Sequence, residues 1–205
     1  ASGDMTLAAL VALWAPVDKI AERLSSLPIE RFALRAEPAT DRGFAGVRMH
    51  VDVADEHHPH RHLADIEKLL AAGRLPDRAR SLAVAVFQRL AAAEAAVHGT
   101  TPERIHFHEV GAMDSIVDIA GACVALELLG IDAVEVSPLP VGRGSVRCAH
   151  GVMPLPVPAV AELLKGRAVI ETDEPFELVT PTGAALLTTW AETMPAPAQG
   201  SRTVL

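Results

Sequence analysis

The chain has 205 residues, of which 50% are hydrophobic and 3% aromatic, with a mean hydropathy of +0.26. So apolar a chain can bury enough surface to offset its ordering entropy, which excludes intrinsic disorder throughout. Lys plus Arg number 18 against 26 Asp plus Glu, and a formal charge of −8 argues against nucleic-acid binding. No hydrophobic run reaches the roughly 18 residues that suggest a membrane span.

The first half of the sequence predicts four helices and two strands. Helical spacing of apolar residues, bounded by capping residues and glycines, predicts helices over 3–14, 17–26, Leu63–Ala72 and Pro76–Val97. Strands are predicted over Phe32–Glu37 and Gly46–Val53, with a turn at Asp41-Arg42-Gly43 between them.

The second half predicts shorter elements around one long loop. Strands are predicted over Ile105–Glu109, Ala133–Ser137 and Arg167–Glu171, and helices over Ser115–Leu129, 158–165 and Ala184–Glu192. The Pro- and Gly-rich stretch from Pro138 to Pro158 predicts an irregular loop. Alternation of strands with helices predicts an α/β or α+β layered domain, with a mixed sheet and flanking helices, as one unit over residues 1–205.

The densest set of potential metal ligands lies between His106 and Asp118. On a strand, His106 and His108 point to one face, and on the following helix Asp114 and Asp118 lie one turn apart. Two imidazoles and two carboxylates suit a divalent transition ion such as Ni, Zn or Fe. The alternative is a set of unrelated roles: a helix cap, an exposed carboxylate and a strand edge.

A second candidate for metal capture is the tract that contains His57, His58, His60 and His62. A buffering or delivery role suits it better than catalysis. The alternative is a solvated loop that binds divalent ions loosely.

Binding of an anionic ligand is predicted from two further features. Arg143 and Arg147 place cationic donors in a loop, although they could also be solvated. The segments 2–4 and Thr180-Pro181-Thr182-Gly183 each resemble a helix start, whose amides bind phosphate or are simply capped. Asp4, beside Gly3, is a possible extra metal ligand.

The two cysteines differ in their expected environments. Cys123 lies among apolar residues of a helix and is predicted to be a buried small hydrophobe, whereas Cys148 lies near Arg147 and His150 and is better placed for reactivity. Two cysteines cannot form a disulfide framework, so we expect a cytoplasmic protein.

The run His106-Phe-His-Glu-Val-Gly-Ala-Met-Asp-Ser-Ile-Val-Asp118 resembles the signature of the LarC family, the nickel-insertion proteins of nickel-pincer cofactor synthesis. Further motifs fit the same family in the same order along nearly the whole chain. They are Ser2-Gly-Asp-Met5, Arg61-His-Leu-Ala-Asp-Ile66, Ser137-Pro-Leu-Pro-Val-Gly142, Cys148-Ala-His-Gly151 with Pro154, Pro156 and Pro158, and Thr180-Pro-Thr-Gly183.

The resemblance implies insertion of nickel into a pyridinium mononucleotide that carries two thiocarboxylates, with CTP hydrolysis and Mn²⁺ or Mg²⁺. The implied enzyme is a nickel insertase, a cyclometallase of the lyase class. Family members also carry a segment before the Ser-Gly-Asp-Met motif and a C-terminal domain associated with CTP. We therefore expect an N-terminal domain that does not use CTP by itself.

The resemblance also suggests roles for the candidate residues. The metal ligands would come from His106, His108, Asp114 and Asp118, with Asp4 and His150 as additions, and the base from His108, Glu109 or Asp114. Arg143, Arg147 and the turn of Thr180, Thr182 and Gly183 would meet the anionic precursor.

Two other functions stay open at this stage. One is a non-catalytic nickel carrier or storage module based on the 57–62 tract, and the other is a metal-dependent hydrolase with a His-x-His site. A full (β/α)₈ hydrolase barrel takes about 250 residues, more than this chain has. The oligomeric state is not fixed by the sequence, and a homo-oligomer is compatible with it.

Overall fold

A computed structural model describes residues 1–53, 61–107, 113–148 and 151–195 of the 205-residue chain. Helices and small sheets alternate along these residues, which confirms the predicted mixed α/β class. No helix in these ranges is both long and apolar enough to cross a membrane.

The helices lie close to their predicted positions. They are α1 (Gly3–Ala12), α2 (Val17–Leu24), α3 (Leu63–Ala72), α4 (Asp77–His98), α5 (Met113–Leu128), α6 (Pro158–Leu163) and α7 (Pro181–Thr193). A 3₁₀ turn, Pro102–Arg104, follows α4. Gly99 ends α4 in the left-handed conformation (φ 62°), as its sequence position predicts.

The strands form four two-stranded sheets among the described residues. They are β1 (Phe32–Asp41), β2 (Phe44–Val53), β3 (Arg61–His62), β4 (His106–Phe107), β5 (Leu139–Val141), β6 (Ser145–Cys148), β7 (Gly151–Pro154) and β8 (Val169–Glu171). The β1–β2, β3–β4 and β6–β7 pairs are antiparallel, and β5 pairs with β8 in parallel.

Two sequence predictions about strands are wrong. The segment 133–137 contributes only an isolated bridge between Val134 and Pro195, because the end of α7, not another strand, lies beside it. The stretch 138–158 is not an irregular loop but contains β5, β6 and β7. Its prolines are tolerated because each sheet has only two strands, so a strand needs ladder hydrogen bonds on one side only.

Helix α5 is the centre of the core. Ten of the eleven positions of α5 from Ile116 to Leu126 are buried, the exception being the partly buried Asp118, and α1, α2, α4 and α7 pack around the helix. A helix that is apolar on all sides is stable only when other elements surround it. The burial of Cys123 in α5 confirms its predicted role as a small hydrophobe, and burial raises the pKa of its thiol to about 12.

A buried ion pair holds β3 onto the segment before β1. The Arg61 guanidinium donates to both carboxylate oxygens of Glu30, at 2.7 and 2.8 Å, and Arg61 is only 9% exposed.

We expect Arg61→Met to lower the free energy of unfolding by about 2 kcal/mol, since it leaves Glu30 without its partner. Urea denaturation measures this. The exposed pair Arg35–Asp52 is the matched control, and Arg35→Met should leave the stability nearly unchanged; equal costs for both variants would contradict the prediction.

Candidate metal and ligand site

Three carboxylates lie together where the N-terminal turns of α1 and α5 meet. Asp114 is in the first turn of α5, Asp118 follows one turn later, and Asp4 is in the first turn of α1, which packs against α5. Asp4 and Asp114 are exposed, whereas Asp118 is partly buried. We call these three residues the acidic cluster.

Asp118 is the unusual member of the acidic cluster. Burial and the neighbouring charges of Asp4 and Asp114 raise the pKa of its carboxyl from 3.8 to about 8. Its Oδ1 is buried and has no hydrogen-bond partner among the residues that the structure describes. A buried, unpartnered carboxyl beside two further carboxylates is costly in the ionised state, and a bound cation would remove that cost.

Gly3 lies so close to Asp118 that a larger residue at this position would not fit without a shift of its neighbours. A Cβ added at Gly3 would lie 2.9 Å from both the Cβ and the Oδ2 of Asp118, and 3.0 Å from the Cγ2 of Thr182. Gly3 therefore packs closely against both Asp118 of α5 and Thr182 of α7. This explains why the motif Ser2-Gly3-Asp4 needs a glycine.

The start of α7 is capped as its sequence predicts. The Thr180 hydroxyl accepts a hydrogen bond from the Gly183 amide (3.2 Å), and Pro181 occupies the first turn. The Thr180 amide donates to the carbonyl of Ala1 (3.0 Å), and a Cβ at Gly183 would come 2.4 Å from that same oxygen. The amides of Thr180 and Gly183 thus already have acceptors within the fold.

A cavity of about 350 Å³ lies beside the start of α7, with Pro181 among its lining residues. It is bounded by the C-terminal end of α4, by β4, by β6 and β7, and by the first turns of α6 and α7. Its polar lining includes His98, His106, Arg147, Cys148 and Glu177. This volume is at the lower end of the range for small-molecule sites.

The predicted ligand-binding arginines are separated by the fold. Arg147 lines the cavity, as the anion-binding hypothesis requires. Arg143 is not among the lining residues; its guanidinium instead pairs with Asp173 at 2.6 Å on the surface. Of the two arginines, Arg147 is therefore the one placed to meet an anionic ligand.

The structure places the predicted site residues in two neighbouring groups. Asp4, Asp114 and Asp118 form the acidic cluster, while His106 and Arg147 line the cavity. Pro181 lines the cavity and its neighbour Thr182 packs against Gly3, the residue before Asp4, so the first turn of α7 is close to both groups. His108, Glu109 and His150 lie outside the described residues, as do His57, His58 and His60.

Convergence of His106 with the carboxylates remains a prediction. Within the described parts of the chain, no three His, Cys, Asp or Glu side chains are grouped closely enough to hold a metal ion. The segment 108–112, which joins His106 to α5, is not among those parts.

Sequence reasoning missed several residues of the cavity. His98, Glu94 and Glu177 were not among the predicted site residues, yet all three line the cavity. A helical spacing of four relates Glu94 to His98, and their side chains pair at 3.5 Å. That spacing is the one sequence signal that could have marked them.

Comparison with known proteins shows which protein family the chain belongs to. The model of the nickel insertion protein family matches residues 1–203, so the chain belongs to the nickel insertion protein family. Several relatives carry the name pyridinium-3,5-bisthiocarboxylic acid mononucleotide nickel insertion protein, among them one from a Nocardioides species and one from Staphylococcus saprophyticus. The one from a Nocardioides species is 48% identical over 205 residues, which is 100% of this chain and 52% of the relative.

The second relative, from Staphylococcus saprophyticus, is 44% identical over 186 residues, 91% of this chain and 47% of its own length. The chain thus spans about half the length of the curated relatives it matches. No solved structure matches.

Proposed function

We propose that this chain is the metal-handling half of an enzyme that inserts nickel into pyridinium-3,5-bisthiocarboxylic acid mononucleotide, acting in the cytoplasm. Membership of the nickel insertion family and the names of its relatives support the reaction. The acidic cluster supports the metal-handling role, because the partly buried Asp118 carboxyl has two acidic neighbours and an unpartnered Oδ1 among the described residues, and a cation would favour its ionised form.

Asp118 would exchange a proton for the nickel ion. Below about pH 8 its carboxyl holds the proton, and an arriving Ni²⁺ displaces it, leaving a carboxylate oxygen bound to the metal. Asp4 and Asp114, which with Asp118 are not grouped closely enough in the described structure to hold an ion, would have to move toward Asp118 to add their oxygens. His106 would supply a nitrogen ligand from the cavity side, together with His108 and His150 if the chain brings them there.

Transfer of the ion to the precursor is chemically reasonable. Oxygen ligands hold Ni²⁺ less strongly than sulfur donors do, so the two thiocarboxylates of the precursor can draw the ion away. A nickel–carbon bond then forms as the ring C–H bond breaks, and a base accepts the proton. His108, Glu109 and Asp114 are the proposed bases.

The cavity would hold the precursor beside the metal. Arg147 supplies a positive charge for a carboxylate, thiocarboxylate or phosphate group. Arg143 would join this site only by exchanging Asp173 for the anion, and Thr180, Thr182 and Gly183 would join it through the start of α7, where the Thr180 and Gly183 amides would first have to leave their present acceptors.

CTP use and its divalent ion are proposed for the longer protein only. The oxygens of Asp4, Asp114 and Asp118 suit Mg²⁺ and Mn²⁺ as well as Ni²⁺, so the acidic cluster fits such an ion by donor type. An ion of that kind supplies charge neutralisation for phosphate groups.

The proposal is tested by nickel titration of the purified chain. We expect Asp118→Asn to weaken Ni²⁺ binding at least about tenfold in calorimetry at pH 8, because a neutral amide replaces the central carboxylate. Asp41→Asn, at the exposed tip of the β1–β2 hairpin, removes the same charge elsewhere and should leave the affinity unchanged.

Equal nickel affinity in wild type and Asp118→Asn would exclude the acidic cluster as the nickel site. The same variants, made in the full-length protein, should show a parallel loss of nickel incorporation into the precursor.

A further inference from the structure

Two histidines that are 44 positions apart in the sequence face each other across the β3–β4 pair. His62 and His106 are direct register partners, and their ring centroids lie 3.8 Å apart with the ring planes tilted by 49°. The two strands have only two residues each among the described residues, so this pair makes up half of the small sheet.

The tautomer of His62 is fixed by the backbone. Its Nδ1 lies 2.9 Å from the carbonyl oxygen of Ile105, and a carbonyl can only accept, so Nδ1 carries the proton in this contact. The lone pair of the neutral ring is then on Nε2. Orientation of one ring nitrogen by a backbone carbonyl, with the other left to bind, is the usual arrangement of a metal-binding histidine.

The backbone on both sides of the pair is well anchored. The His62 amide donates to the Asp65 carboxylate (3.1 Å) at the start of α3, and Arg61 is held by Glu30. Phe107, next to His106, is buried against Phe87 with the rings at 6.3 Å. The two imidazoles are therefore held side by side by their neighbours.

One of the two histidines, His106, also lines the cavity. Arg147 and Cys148 line it too. A metal ion on the imidazole pair would thus be next to the space in which we place the anionic precursor.

We propose that His62 and His106 form a two-imidazole site for Ni²⁺ at the edge of the cavity, so that His106 binds the ion together with His62 and not as a ligand added to the acidic cluster; this inference rests on the proposed function. Nitrogen donors favour Ni²⁺ over Mg²⁺, whereas the carboxylates of the acidic cluster accept both ions. The imidazole pair would therefore select nickel in the presence of excess Mg²⁺. Water or the precursor's own donors complete the coordination.

The test is calorimetric titration of the whole chain with Ni²⁺ in the presence of millimolar Mg²⁺. We expect His62→Phe and His106→Phe each to weaken binding at least about tenfold, because phenylalanine keeps the ring packing and removes the nitrogen donors. The double variant should be little weaker than either single variant, since both rings would bind the same ion.

His50→Phe is the matched control. His50 lies on β2, where its Nε2 is 2.8 Å from the Glu37 carboxylate, and its replacement should leave the nickel affinity unchanged. Unchanged affinity in His62→Phe, or a loss in the double variant equal to the sum of two independent losses, would overturn the imidazole pair. A circular dichroism spectrum like that of wild type shows that each variant folds.

Failure of this inference can be told apart from failure of the proposed function. Nickel binding that is lost in Asp118→Asn but kept in His62→Phe leaves the acidic cluster as the nickel site and rejects the pair. Binding that is kept in Asp118→Asn but lost in His62→Phe rejects the acidic cluster and supports the pair.

Discussion

Asp118→Asn should make the metal-free chain more stable at pH 8, by about 2–3 kcal/mol, while leaving it nearly as stable as wild type near pH 4. The pKa of the Asp118 carboxyl is about 8 in the folded chain, well above its ordinary value of 3.8. Across most of the range from pH 4 to pH 8, the folded chain therefore holds a proton on Asp118 that the unfolded chain has released.

The sign follows from proton linkage. Between pH 4 and pH 8 the unfolded chain binds fewer protons at this position, so the free energy of unfolding falls as the pH rises. The extra stability that the folded chain gains by holding this proton is fully present below about pH 4, and it is lost as the pH rises through about 8. A shift of four pKa units bounds the effect at roughly 5 kcal/mol. The expected gain is smaller because an asparagine amide in the same place is also polar and partly buried.

Urea denaturation at pH 4.5 and pH 8, without metal, measures the difference. Asp41→Asn controls for the general loss of one negative charge from an acidic chain. A stability difference between Asp118→Asn and wild type that is the same at both pH values would contradict the raised pKa. Added Ni²⁺ should stabilise wild type more than Asp118→Asn, because only the former would bind the ion at this position.

The second large effect is expected at Gly3. Gly3→Ala should lower the free energy of unfolding by about 2–4 kcal/mol, because its new methyl group would lie 2.9 Å from Asp118 and 3.0 Å from Thr182. Short side chains on two packed helices have little freedom to move aside. The same change should weaken nickel binding, since the displaced side chain is that of Asp118.

Two further variants make the Gly3 prediction specific. Gly46→Ala, in β2, adds the same methyl group where nothing lies within 4 Å, and it should change stability by less than about 0.5 kcal/mol. Thr182→Ser removes the Cγ2 atom that the new methyl group meets, so Gly3→Ala with Thr182→Ser should recover part of the loss. A Gly3→Ala variant as stable as Gly46→Ala would contradict the close approach, as measured by thermal or urea unfolding.

The acidic cluster illustrates a general tension between stability and binding. The Asp118 carboxyl has a buried oxygen with no partner among the described residues and two acidic neighbours, so its ionised form destabilises the metal-free fold. The same features make binding of a cation at this carboxyl favourable. The expected stabilisation by Asp118→Asn and the expected loss of nickel affinity are two consequences of one arrangement.

The sequence by itself determined the helices, the first hairpin and the family. Helical spacing placed α3, α4 and α7 within a few residues of their observed limits, and the turn at Arg42-Gly43 (φ 47° and 88°) was predicted by its residue types. The relation of Asp114 to Asp118 could also be predicted. All of these are local properties, fixed by residues fewer than ten positions apart.

Tertiary structure decided everything that depends on distant segments. Asp4 joins Asp118 only because α1 packs on α5, and His62 meets His106 only because β3 pairs with β4. The strands β5, β6 and β7 also depend on distant segments or on pairing. The proline- and glycine-rich stretch that contains them predicted a loop, and only the pairing seen in the structure shows that they are strands. Strand pairing and burial are non-local, so no spacing within a segment encodes them, and the pKa of Asp118 follows from that packing and not from its place in the sequence.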